Sequence, residues 1–329
     1  MRSINPGRGA HDAAGRVARE AVSDFFRPHA ATQSRMLATV NAAVILTGAC
    51  LCVYNSFLPN VAPPQNPLVF QTIGFLVNLV SVSLPGRFDS DVEEMNNNTF
   101  PWPTLFAPAG FAFAIWGVIY LGEMIGMALL LFNAGGVADA IGPASRAWLC
   151  ANIAQALWCL AFRPWALSKL WLSSVCLAAT ALSLYASQRA MVLNGPVQAD
   201  GSSSFSGLAW ALVVWPRSLH MGWVTAATLV NLNAWAGYSA VGAHAALTVA
   251  AGSLVGAFAL ADYYASQGLK CAASAVAWAL FAVSKGEPVG GDAKALAGPK
   301  LDGLLTGAAA TSALIVCDML VRSWLGRAK

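Results

Sequence analysis

Read for hydropathy alone, the chain alternates nine apolar runs with short polar or proline-rich breaks. The runs are Met36 to Leu58, Leu68 to Leu84, Phe100 to Met127, Arg146 to Phe162, about Leu167 to Ala186, about Leu208 to Trp235, Val241 to Tyr263, Leu269 to Val283 and Gly303 to Leu325. A helix needs about 20 apolar residues to cross a hydrocarbon core. The run from Leu68 is short by that measure, so the pattern predicts about nine spans, or eight if one of the first two runs is not a full crossing. Pro59, Pro63, Pro64 and Pro67 break the first run, and Pro101, Pro103 and Pro108 keep the approach to the third out of regular helix. The predicted fold class is all-α, a polytopic membrane helix bundle.

Three of the runs carry a face not built for lipid. Between Phe100 and Met127, residues Phe113, Trp116, Tyr120, Glu123 and Met127 recur at three- and four-residue steps, which puts three aromatic rings, a carboxylate and a thioether on one side of a helix. Glu123 lies well inside a segment otherwise free of charge, and an ionisable group at such depth normally faces the bundle interior or a wet cavity. Gln155, Trp158 and Phe162 share a face in the same way, and His220, Trp223, Ala227, Asn231 and Trp235 form a third stripe. Such stripes face one another in a bundle. They serve either as packing or as the walls of a site for a flat apolar ligand.

Composition agrees with the membrane reading: 57% of the 329 residues are hydrophobic and 10% charged, too few charges to coat a soluble globule of this size. The net charge of +4 comes largely from residues 1–35, an Arg- and Ala-rich tail expected to be mostly disordered and to anchor on the cytoplasmic or stromal side. That tail has no aromatic interleaving, so nucleic acid is not an expected partner. It begins without an apolar h-region, which disfavours a cleaved secretory signal. The seven cysteines form no Cys-x-x-Cys pair and read as small hydrophobes. Asp89, Asp91, Glu93 and Glu94 lack the spacing and glycine of a calcium loop, so no metal site is expected there, and Asn97-Asn98-Thr99 is a glycosylation sequon by pattern. Gly122/Gly126, Gly252/Gly256 and Gly303/Gly307 are Gly-x-x-x-Gly pairs that would permit close helix approach, and Asp318 and Arg322, one turn apart, satisfy each other.

The string FAPAGFAFAIWGVIYLGE resembles the second transmembrane helix of the TspO/MBR family, the translocator proteins or tryptophan-rich sensory proteins, with Pro108, Trp116 and Tyr120 on the motif and Ala107 where the longer branch usually has Thr. The segment PRSLHMGWVTAATLVNLNAW is similar to the family's last core helix, with Pro216, Ser218, Gly222, Trp223, Thr225 and Asn231 at its spacings and His220 where Tyr is common. GFLVNLVSVSLP, with Asn78, resembles the first core helix; Trp158 and Phe162 match the third, where Gln155 replaces an Asn. Ten of the twelve tryptophans, Trp102 to Trp235, fall in this region.

The resemblance implies a TspO-like five-helix core at residues 68–236, with an extra N-terminal transmembrane helix at 36–58 and a three-helix C-terminal extension at 237–329. It further implies binding of a planar hydrophobic ligand, a tetrapyrrole such as porphyrin or haem, or a sterol, with a sensory or translocator role in a multi-pass membrane protein of undetermined membrane. Trp116, Tyr120, Glu123, Gln155, Trp158, Phe162, His220, Trp223 and Asn231 are the candidate ligand-binding residues, and His220 is also a candidate ligand to a tetrapyrrole metal. No cofactor is required by the sequence; membrane lipid and a second copy in a homodimer are the other expected partners. No nucleophile elbow, zinc-binding His-Glu-x-x-His or phosphate loop is present, so enzymatic chemistry is disfavoured. Two alternatives remain. One is a secondary transporter of a small amphipathic solute with Glu123, Asp318 and Arg322 as its polar path; the other is a structural or pigment-associated subunit of a membrane complex.

Overall fold

A computed structural model describes residues 39–52, 66–83, 104–133, 139–163, 166, 169–193, 207–239, 241–287 and 299–327. The Arg-rich tail, the Asp89–Glu94 loop, the Asn97 sequon and the loop at 194–206 lie outside the described residues. The chain divides into Met1–Leu46, of which 39–46 are described and helical, and Thr47–Lys329, which holds the helices that follow the first.

The apolar runs become α1 (Thr39–Cys52), α2 (Pro67–Ser83), α3 (Ile115–Leu131), α4 (Ser145–Ala161), α5 (Trp171–Leu193), α6 (Gly207–Tyr238), α7 (Ala243–Ser266), α8 (Lys270–Val283) and α9 (Pro299–Arg327). Short 3-10 turns, Gly110–Ala114 and Asp139–Ala144, lead into α3 and α4. Pro108 has the predicted effect, because helix begins only at Gly110. Among the described residues, three helices are long and apolar enough to cross a membrane by length and composition: Gly110–Leu131, Ala243–Ser266 and Pro299–Leu325. The others fall short for physical reasons. α2 and α8 have only 17 and 14 residues. α4 and α6 carry buried polar groups, including Asn152, Gln155, Arg217, His220 and Asn231, that a helix surrounded by protein tolerates and a lipid-exposed one does not.

Five helices close a ring: α2 packs on α4, α4 on α5, α5 on α6, α6 on α3, and α3 back on α2. Polar ties hold the α2–α4 seam, where Trp148 Nε1 donates to the Gln71 carbonyl at 3.0 Å and Gln71 Nε2 donates to Ser145 Oγ at 3.1 Å. At the α3–α6 seam, a Cβ on Gly122 would sit 2.6 Å from Pro216 Cγ and one on Gly126 3.2 Å from the Leu212 carbonyl oxygen. The first Gly-x-x-x-Gly pair is therefore a real close approach. Gly252, Gly256 and Gly303 have nothing within 4 Å of an added Cβ, and only Gly307, opposite Leu254, meets a neighbour, so the other two pairs make no such contact.

α6 is buried on both sides. Its outer side carries α8, which also packs on α7 and α9. α8 can come this close because its α6-facing residues are mostly alanine: Gly222 lies against the Ala272 backbone so tightly that a Cβ there would collide with it. α8 also holds the proline-rich segment. Ala109 N–H donates at 2.9 Å to the Ala282 carbonyl, one of the end-of-helix acceptors that lack an intrahelical partner. Trp278 Nε1 donates to the Ala112 carbonyl at 3.2 Å, and its ring meets Phe111 edge-on at 5.4 Å. Residues at the C-terminal end of the chain thus fix how the segment leading into α3 is threaded.

Asp318 and Arg322 pair as expected, Arg322 Nε donating to Asp318 Oδ2 at 2.8 Å, and Asp262 of α7 joins them through Arg322 Nη2. Cys150, Cys159 and Cys176 are buried, whereas Cys50 and Cys317 are exposed. Cys52 and Cys150 each offer a thiol to the other's backbone carbonyl, at 3.6 and 3.7 Å.

Candidate functional site

The candidate residues come from α3, α4 and α6 and fall into two adjoining groups. In the first, His220 of α6 sits at the centre. Its Nδ1 lies 2.7 Å from Glu123 Oε1, and its Nε2 contacts Gln155 Oε1. Gln155 Nε2 donates to Tyr120 Oη at 2.9 Å, and Tyr120 Oη lies 3.4 Å from Asn78 Oδ1. One polar chain therefore runs from α6 through α4 and α3 to α2. Glu123, Gln155, Asn78 and His220 are all buried, the Glu123 side chain being 0% and the His220 side chain 1% exposed.

Aromatic rings wall this chain on the α3 and α6 side. Trp116 stacks on Tyr120 with centroids 5.3 Å apart and meets His220 and Trp223 edge-on at 5.5 and 6.1 Å, while Phe113 meets Trp223 edge-on at 5.7 Å. Trp116 and Tyr120 are half-buried and Trp223 is buried. In the second group, Trp158 stacks on Phe162 at 5.6 Å, and Asn231 Oδ1 receives Trp158 Nε1 at 3.4 Å and Ser173 Oγ of α5. Asn231 Nδ2 turns back to the Ala227 carbonyl at 2.8 Å. Gln155 and Trp158, one turn apart on α4, join the two groups, and Trp158 packs against both hydrophobic clusters.

The third stripe is shorter than its spacing suggested. Trp235 is 38% exposed and leaves the face. At about 100° per residue, Trp235 is roughly 120° around the helix from Trp223, enough to turn it outward. Asp318 and Arg322 belong to their own cluster on α7 and α9 and do not extend a polar path from Glu123.

Arg217 is a buried ionisable residue next to the site that pattern reading missed. It is 2% exposed, with its guanidinium carbon 3.9 Å above the Trp148 ring and its terminal nitrogens 3.8 Å from Met127 Sδ and 4.0 Å from Met191 Sδ. No ion-pair contact joins it to Glu123, whose charged partner is His220. The signal was available: Arg217 is an ionisable residue inside an apolar helix, the same feature that singled out Glu123. Ser173 gave no such signal, since a serine on α5 is unremarkable until the fold sets it against Asn231.

The arrangement can do two things chemically. The partly exposed rings of Trp116 and Tyr120 are open to a flat apolar contact, while Trp223 is already buried, and the chain centred on His220 can move or store a proton. Metal coordination by His220 would require breaking one of its two polar contacts, because both ring nitrogens are engaged. Compared with known families, residues 67–298 match the family model described as TSPO-like protein, a span from the start of α2 through α8. Neither the curated proteins nor the solved structures contain a match to the chain.

Proposed function

The chain belongs to the TspO-like family, and from that membership we propose that this membrane protein binds a planar hydrophobic ligand, of tetrapyrrole or sterol type, against the aromatic faces of α3, α4 and α6. The single observation that carries the reading is the convergence of Trp116, Tyr120, His220 and Trp223, four rings from two helices within 6.3 Å centroid separations, next to the polar groups of a third helix. Rigid rings contribute large contact area at low entropic cost, and a few polar groups orient the ligand. Because His220 is already held by Glu123 and Gln155, the reading requires no axial ligand and accommodates a metal-free porphyrin as readily as haem. The role that TspO-like membership suggests for such a site is sensory or regulatory, or that of a translocator.

The test is a protoporphyrin titration of the detergent-purified protein, read by Trp fluorescence, in wild type and in a Trp116→Leu/Trp223→Leu double variant. Saturable quenching that weakens at least tenfold in the variant, about 1.4 kcal/mol, supports the reading. Quenching that never saturates, or that the variant leaves unchanged, assigns these rings to packing.

A further inference from the structure

The buried charges around His220 do not balance in every protonation state. Arg217 is a permanent cation, and Glu123 is the only acid among the described residues that contacts His220 or acts on Arg217. With Glu123 ionised and His220 neutral, the set formed by Glu123, His220 and Arg217 carries one charge of each sign. Adding a proton to the Glu123–His220 pair, on either partner, leaves it one charge positive. In a dry interior that difference is large.

The hydrogen-bond chain can run in two directions, one for each of these states. A neutral imidazole has one N–H, yet both of its nitrogens face oxygens, Glu123 Oε1 and Gln155 Oε1. That arrangement needs the extra proton, either on the imidazole or on the Glu123 carboxyl. In the arrangement with no extra proton, His220 donates from Nδ1 to Glu123 and accepts at Nε2. The Gln155 amide must then turn its NH2 toward His220 and its oxygen toward the Tyr120 hydroxyl. Tyr120, now donating to Gln155, releases Asn78, whose Nδ2 has no partner in the present arrangement and can donate to the Tyr120 oxygen. The chain reverses direction over four helices without any side chain leaving its place.

The groups facing His220 are few. They are Glu123 and Tyr120 from α3, Gln155 from α4, and Arg217, three residues earlier on α6 itself. α2 supplies neutral Asn78, and α8 approaches α6 near His220 through the backbone of Ala272, against Gly222.

We propose that the Glu123–His220 pair is a proton-binding site whose loading reverses the Gln155–Tyr120–Asn78 chain and adds one positive charge beside the Trp116 and Tyr120 rings, so that proton uptake is coupled to binding of an anionic planar ligand. The ligand half of this statement rests on the proposed function; the proton half does not. By linkage, an anion that favours the loaded state raises proton affinity by the factor by which the proton raises its own.

The proton half is tested without ligand by 15N-histidine NMR of the full chain carrying His11→Gln, His29→Gln and His244→Gln, which leaves His220 as the single reporter. Between about pH 8 and pH 5, the window in which histidines change charge, the Nδ1-protonated neutral form should give way to the imidazolium or to the Nε2-protonated form. Glu123→Gln should abolish that change. An unchanged His220 spectrum across the window, or the Nε2-protonated form at high pH, overturns the proposal. The coupling is tested by calorimetric titration of protoporphyrin in two buffers of different ionisation enthalpy. Uptake of about one proton per porphyrin in wild type and none in His220→Gln is expected, and binding without uptake in wild type overturns the coupling. Absence of porphyrin binding at any pH sinks the ligand reading alone, because the NMR result stands independently of it.

Discussion

Gly122→Ala is the most direct probe of the geometry that brings Glu123 to His220. A methyl at position 122 would lie 2.6 Å from Pro216 Cγ and 2.8 Å from its Cβ, whereas ordinary contact begins at 3.4 Å. The obstacle is a proline ring inside a helix, which cannot swing aside as a flexible side-chain end can. α3 and α6 must therefore part by about 0.8 Å at this level, the gap between 2.6 and 3.4 Å. Glu123 is the next residue, so an equal opening would stretch its 2.7 Å contact with His220 to about 3.5 Å, past hydrogen-bonding range. Overpacking costs about 1–3 kcal/mol, and loss of a buried charge-assisted bond a further 1.5–3 kcal/mol or so. Gly122→Ala should thus destabilise the protein by about 2.5–6 kcal/mol. Gly126→Ala, facing the Leu212 carbonyl at 3.2 Å, should cost about 1 kcal/mol. Gly252→Ala meets nothing within 4 Å and should stabilise by several tenths of a kcal/mol through helix propensity. Detergent-driven unfolding in bicelles, followed by Trp fluorescence, measures all three. A Gly122→Ala protein within about 0.5 kcal/mol of wild type, or as stable as Gly252→Ala, would refute the close-approach argument.

At a pH where the Glu123–His220 pair holds no extra proton, Arg217→Leu should cost about 3–5 kcal/mol, because it leaves that pair with an uncompensated buried negative charge, and adding Glu123→Gln should recover a large part of it. Additive losses in that double-mutant cycle would show that the two charges do not compensate each other. Asn231→Leu removes the acceptor shared by Trp158 Nε1 and Ser173 Oγ and should destabilise by about 2 kcal/mol in the same unfolding assay. Trp278→Phe keeps a ring beside Phe111 but loses the bond to the Ala112 carbonyl. It should cost about 1 kcal/mol and raise hydrogen exchange at Ala109 and Ala112, and unchanged exchange there would mean α8 does not hold this segment.

Periodicity and hydropathy by themselves determined the helices, because apolar residues at three- and four-residue steps over about 20 positions admit no other element in a bilayer. They also marked Trp116, Tyr120, Glu123, Gln155, His220 and Trp223 as interior, since a polar or ionisable group in an apolar run must face protein. The boundaries moved where local chemistry intervened. α5 starts at Trp171, later than the Leu167 expected, and α3 only after the proline approach is complete.

What the chain did not reveal is who meets whom. That His220 is held by Glu123 from 97 residues away and by Gln155 from 65 away is a property of the ring closure, not of any local pattern. The same holds for Ser173 against Asn231 and for the Ala-rich α8 lying along α6 and gripping Ala109. Side-chain periodicity fixes which face of a helix turns inward. Only the packing of several helices fixes the height and angle at which those faces meet, and a 2.7 Å contact depends on both.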